Sequence, residues 1–463
     1  MKVFLGAALA SLALVSSAAA QEAAEIPAHI QRNVERLRER ALESDNAFSI
    51  VESLTTEVGP RLAGSEAEAR ARDWAQAMLR AQGFSRVRVE PFTMPFWRAE
   101  VQTAEIVSPS PQRLETVALA GSPSTPEEGL SGEIVRFESL AQLQAAPRAR
   151  VEGRIVFIDE GMARTQDGSG YGLAVQRRGR CAPLARAQGA LACVIRSVGT
   201  DSHRFPHQGG AARQPDGAEL PAAAISNPDA DQLTRLLARG PVRLRLNLQT
   251  EMREDAPSGN VIAEVRGRSR PDEIVLLAAH LDSWDRGTGA IDDAAGVAII
   301  TAAARLIAEM PRWPKRTIRI FLAGSEETGA HGGRAYAAAH ADELSSHVAA
   351  AESDFGAGRI WRLRGPGGDA APLVQAMQTA LQPLGVSYSP EAAGGGADIR
   401  AAREAGAPVF DLTQDGTDYF DFHHTADDTL DKIDPEALRQ NVAAWAVFAY
   451  LAAEMDWDFR DAD

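Results

Sequence analysis

In the second half of the chain, histidines and acids follow one apolar run after another. "IVLLAAHLDSWDRGTGAIDDAAG", Ile274–Gly296, leaves an apolar run and passes at once into His280, Asp282, Asp285 and the adjacent Asp292 and Asp293. Glu326 and Glu327 follow "TIRIFLAGS", Asp354 follows "VAAAES", and the loop beyond "APVFDL" holds His423 and His424. Imidazole nitrogen with carboxylate oxygen and no thiolate is a donor set that suits zinc. The groups that directly follow these runs are too many for one tetrahedral zinc. They suit two metals sharing a carboxylate, with one further carboxylate left as a general base. Taken singly, an acid at a strand end is usually a helix cap or a solvated charge. It is the joint placement after separate apolar runs that points to a hydrolytic metal site.

These groups can meet only if the apolar runs are neighbouring strands ending at one edge. From Val261 onward, strand-like runs alternate with helical ones: "IVLLAA", "AAGVAIITAAARLIAEM", "TIRIFLA", a helix through "GGRAYAAAHADEL", "VAAAES", "APLVQAMQTALQPL" and "APVFDL". That alternation predicts an α/β fold with a mostly parallel central sheet and helices on both faces. Ligands in such sheets bind beyond the carboxyl ends of the strands. The chain should end in a helix with Asp434 as N-cap and Pro435 at its first position.

The first half has a different texture. Pro27–Ser44 suggests a charged amphipathic helix. A second helix should follow from Asn46 to the turn Gly59-Pro60-Arg61, and a third should start at Ser65 in a capping box with Glu68 and stop at Gly83. "RVRVEPFTMPFWRAEVQTAEIVS" alternates like edge strands punctuated by proline. Residues 115–251 carry short strands ("GRIVFID", "LACVIRS", "AAAISN") and close with "VRLRLNLQT", which predicts an inserted domain. The main domain would then comprise residues 21–114 and 252–463, with Arg253–Asn260 as the return linker.

Bulk properties narrow the function classes. The chain has 463 residues, more than one simple core would use. Its formal net charge of -15 argues against nucleic acid or an anionic membrane as partner. Lys2, the apolar run Val3–Val15 and the small residues before Gln21 suggest a secretory leader over residues 1–20, hence a periplasmic or secreted protein. "VAAWAVFAYLAAEM" is too short to span a bilayer and is expected as a packed helix. Cys181 and Cys193 are the only cysteines, and the sequence leaves open whether they pair.

"HLDSWD", "GAIDDAAG", the Glu pair after its apolar run, "ESDFG" and "FHHTADDT" resemble the di-zinc aminopeptidase and glutamate carboxypeptidase group, and within it the carboxypeptidase Q family. The resemblance extends through "IRSVGTDSHRFPHQGG" and "PKRTIRIFLAGSEETG" and covers most of the chain beyond residue 20. It implies two Zn2+ per chain. Asp292 would bridge them, His280 and Asp354 would complete one site, and Glu327 and His424 the other. Glu326 would be the general base and Asp282 would orient His280, while His423 would not be a ligand. The resemblance also implies a cis peptide before Asp293, and an insert similar to a protease-associated domain, which can contribute to a homodimer. The substrates implied are short peptides, with unblocked dipeptides favoured. A di-zinc aminopeptidase, a one-zinc glutaminyl cyclase and an inactive binding protein are the alternatives. "GGGADIR" places Asp398 either against substrate or in plain loop structure, and His203 and His207 are expected in an exposed polar loop. A serine nucleophile at Ser325 is disfavoured, because Ala323 and Glu327 stand where G-x-S-x-G needs glycine.

Overall fold

The computed structural model describes residues 25–210 and 220–460; the expected leader lies outside them. Among the described residues, 14 strands form one hydrogen-bonded sheet. At its centre Arg270–His280 runs parallel to Arg316–Ala323 on one side and to His347–Glu352 on the other, and His347–Glu352 runs parallel to Val409–Gln414. Antiparallel pairs flank this group, with Ile360–Gly365 beyond Val409–Gln414 and Arg243–Val265 beyond Arg316–Ala323.

The central strands are buried on both faces, which explains their unbroken apolar runs. Val275, Leu277 and Ala279 face one core with Ile318, Ile320 and Leu322. Leu276 and Ala278 face the opposite one with Phe321 and Ala323. Helices Ala295–Ala308, Ala28–Leu42 and Pro435–Glu454 cover the first face. Pro435–Glu454 contains the apolar stretch expected as a packed helix; its cap is Asp434, which accepts from Glu436 N at 2.9 Å. No helix among the described residues is long and apolar enough to cross a membrane.

Residues 115–251 contribute Thr116–Ala118, Leu130–Phe137, Ile155–Ile158, Ala192–Arg196 and Ala222–Ile225, which continue the sheet beyond Arg243–Val265. Here the structure corrects the sequence reading. Arg253–Asn260 is not a linker but the middle of the strand Arg243–Val265, with Arg253 opposite Phe96 and Asn260 opposite Glu90. Its partner, Ser85–Ser108, is one long bulged strand. Polar residues, Pro257 and Gly259 make this strand look like a loop in sequence, yet its backbone groups are satisfied by an equally long neighbour.

Ser65 caps Glu66–Ala81 by accepting from Glu68 N at 3.2 Å. The reciprocal half of the expected box differs, because the Glu68 carboxylate is buried and accepts from Gly64 N and the Ser258 hydroxyl instead.

Cys181 and Cys193 form a disulfide between helix Gln176–Ala187 and strand Ala192–Arg196, 12 residues apart and fully buried. Closing a loop of that length removes unfolded-state entropy worth about 2–3 kcal/mol. The double substitution C181A/C193A should therefore lower the urea midpoint of unfolding for this half of the sheet. An unchanged midpoint would show that the bridge adds nothing to stability.

Candidate metal centre

The chain leaves Arg270–His280 for Arg316–Ala323 on one side, then crosses to His347–Glu352 on the other. Such a switch opens a crevice at the carboxyl edge of the sheet. His280 ends the central strand, Glu326 and Glu327 follow its neighbour on one side, and Asp354 follows its neighbour on the other. Asp292 arrives from the turn before helix Ala295–Ala308, and His424 from the loop after Val409–Gln414. The Asp292–Asp293 peptide is cis. Ser325 and His424 both have φ of 62°, in the left-handed region that costs a non-glycine residue about 1–3 kcal/mol. A side chain at Gly296 would collide with the Ser353 carbonyl oxygen, so glycine there lets the helix start approach the strand end that carries Asp354.

All of the sequence-predicted ligands converge. His280 Nε2 is 3.0 Å from Asp292 Oδ1 and 3.4 Å from Asp354 Oδ1. His424 Nε2 is 3.1 Å from Asp292 Oδ2 and 2.9 Å from Glu327 Oε2. Each imidazole uses its other nitrogen on the main chain: His280 Nδ1 donates to Asp282 O at 3.0 Å, and His424 Nδ1 to Gln208 O at 3.1 Å. That leaves each Nε2 directed at two carboxylates, the position from which it would bind a metal. His423 also reaches the cluster. Its ring stacks on His424 with centroids 3.5 Å apart, and its Nε2 is 3.6 Å from Asp292 Oδ2.

The electrostatics show a shortage of positive charge. Burial, then Asp354, pushes Glu326 well above the usual carboxylate range, and burial with the Asp292 charge brings Glu327 up to about 7. Glu352 is raised well above its usual range, and Asp398 is pushed up to about 8, in both cases first by burial. Burial would raise Asp292 too, but contacts with His280 and His424 outweigh it and hold that group well below its usual range. Asp292 Oδ2 and Glu327 Oε1 are buried without a hydrogen-bond partner. Burial would lower the His280 and His424 imidazoles, but the neighbouring acids outweigh it and hold both well above their usual range. Buried carboxylate oxygens without a hydrogen-bond partner, packed among imidazoles, fit bound cations, which would reverse these shifts.

The supporting contacts differ from expectation in one respect. Asp282 orients His280 through its main-chain carbonyl, with its carboxylate 3.7 Å from Nδ1. That carboxylate instead accepts from Glu326 N and Glu327 N at 3.0 and 3.3 Å. Asp293 shapes the turn, accepting from His280 N at 3.1 Å and Gly296 N at 2.9 Å. Asp285 is exposed and makes no contact with the cluster.

Several residues around the site were missed, left open or misplaced by sequence reasoning. Arg61 is fully buried, and its guanidinium donates to the carbonyls of Leu281, Thr288 and Gly289, tying the His280 and Asp292 segments together. Asp428 accepts from Ala290 N and Ile291 N at 2.8 and 2.7 Å. Glu352 accepts from Asp398 N and Ile399 N. Asp398 is buried beside the site, and neither of its oxygens has a hydrogen-bond partner. His203 is exposed as expected, but His207 is not: it is buried, with Nδ1 donating to His423 O at 2.7 Å and Nε2 at 2.6 Å from Asp201 Oδ1. A single histidine in a loop has no periodicity to reveal that it ties residues 201–210 to the His423–His424 segment.

Residues 260–449 match peptidase family M28. Carboxypeptidase Q of Bos taurus is 34% identical over 406 residues, covering 87% of this chain and 84% of the relative, and the Homo sapiens protein is also 34% identical. Among solved structures, a Peptidase M28 precursor from Shewanella amazonensis SB2B is 49% identical with a TM-score of 0.91, covering 94% of this chain and 99% of that one. A zinc aminopeptidase from Bacillus subtilis shares the fold at 23% identity and a TM-score of 0.66, covering 90% of this chain and 97% of that one. With this likeness running over nearly the whole length of these relatives, the chain belongs to peptidase family M28, a family of metallopeptidases.

Proposed function

We propose that the protein is an exported di-zinc exopeptidase that hydrolyses short peptides, with unblocked dipeptides as its preferred substrates. The observation that carries this reading is the double use of Asp292, whose Oδ1 serves the His280–Asp354 pair and whose Oδ2 serves the His424–Glu327 pair. A one-zinc glutaminyl cyclase would leave one of those sets without a purpose.

In this reading His280, Asp354 and Asp292 would hold one zinc, and His424, Glu327 and Asp292 would hold the other. A metal pair bound there would polarise the scissile carbonyl and acidify a water. Glu326 belongs to neither set and borders an open cavity, so it is free to take the proton of the attacking water and deliver it to the leaving amine. Asp282, by binding the N–H groups of Glu326 and Glu327 together, holds the base at a fixed offset from a ligand. Likeness to proteins named carboxypeptidase Q supports exopeptidase action. The leader pattern of residues 1–20 and the Cys181–Cys193 disulfide support export.

Substituting Glu326→Gln should leave zinc content at the wild-type level and lower kcat by roughly 10²–10⁴-fold, the usual contribution of a positioned base. Wild-type turnover in that variant would remove Glu326 from the role. Free dipeptides should be hydrolysed and their N-acylated forms spared, as followed by release of the C-terminal amino acid. Cleavage confined to the N-acylated forms would contradict the dipeptidase reading.

A further inference from the structure

Glu326 and Glu327 are adjacent in sequence, yet they border different cavities. Glu327 borders one of about 510 Å³ with walls that include Phe96, Trp97 and Met252. Glu326 borders another of about 440 Å³ that contains Arg334 and Arg400. The two arginines come from separate helices, His331–Ala339 and Arg400–Glu404. Gly333 brings these helices together, because it packs so closely on the Asp398 main chain that any side chain there would collide with it.

The basic charge of this cavity is not used by the fold. Arg334 is held in place by donating to Gly329 O at 2.6 Å and lying 3.0 Å from His331 Nδ1, and neither partner is a carboxylate. Arg400 is exposed, and among the described residues its side chain has no hydrogen bond or ion pair. Glu404, the other charged group lining the cavity besides Glu326, forms no ion pair with either arginine.

The chemistry says what belongs there. Peptide hydrolysis breaks the C–N bond, adds the water's hydroxyl to the carbonyl carbon and passes its proton through the base to the leaving nitrogen. That nitrogen must therefore come within hydrogen-bond reach of Glu326. In a dipeptide the residue bearing the leaving nitrogen also bears the free carboxylate, two bonds further along. With its nitrogen at Glu326, such a residue would have its carboxylate close enough to enter the cavity that Glu326 borders. Guanidinium groups match carboxylates in shape and charge. We infer that Arg400, together with Arg334, is the subsite for the terminal carboxylate of the leaving residue, so that a free C-terminus is a positive recognition element. This rests on the assignment of Glu326 as the base.

The zinc-loaded protein and the variants R400A, R400K and R400E would be assayed on dipeptides with uncharged side chains, each as free acid and as C-terminal amide. Wild-type kcat/KM should favour the acid by about tenfold or more. In R400A that ratio should fall at least about fivefold, mainly through a raised KM for the acid. R400K should recover part of the preference, and R400E should lower the ratio below that of R400A. A ratio unmoved in both R400A and R400E overturns the subsite, as does a wild type with no preference for the acid. A wild type that hydrolyses no peptide overturns the peptidase reading along with it, whereas an active enzyme with an unmoved ratio fails the subsite alone.

Discussion

Carboxylates packed together away from water repel one another, and the fold must supply cations or donors to keep them there. Here the crowded group includes Asp292, Glu326, Glu327, Asp354 and Asp398, and all but Asp292 are held above their usual pKa ranges. Asp292 escapes because an imidazole faces each of its oxygens. The strand edge, the turn before Ala295 and the His423–His424 loop all serve to keep that one carboxylate between two histidines.

Several acids around the site act through the main chain. Asp282, Asp293, Asp428 and Glu352 each accept from two main-chain N–H groups. Their charge organises backbone, and they work as struts. Asp292, Glu327, Glu352 and Asp398 retain buried oxygens without a hydrogen-bond partner, and of these Asp292 and Glu327 sit against His424, where a cation would fit. Arg61 reinforces the struts from behind by gathering carbonyls from both the His280 and Asp292 segments. A buried guanidinium with its donors satisfied by carbonyls also offsets part of the local negative charge.

The elements of the catalytic half were legible because their strands are buried on both faces and their helices are amphipathic or fully buried, patterns that composition reveals directly. The residues expected as ligands lie directly after these strands or in the turns beyond them, so strand recognition carried them along. Arg253–Asn260 was misread because its pairing is with a distant, equally polar strand, and local texture carries no record of a partner. Arg61, Asp428 and His207 were missed for a related reason. Each acts through main-chain groups far away in sequence, and main-chain acceptors and donors are the same at every position. Asp282 was recognised as a support, but whether its carbonyl or its carboxylate touches His280 depends on a rotamer that no spacing encodes.

The account turns on Asp292 serving two metals at once. Its most direct test is zinc content after equilibrium dialysis, measured by elemental analysis of the wild type and of Asp292→Asn. Two zinc ions per chain in the wild type, with both sites weakened together in the variant, is the result the geometry predicts. One zinc per chain in the wild type, or an Asp292→Asn variant that still holds two, would contradict it.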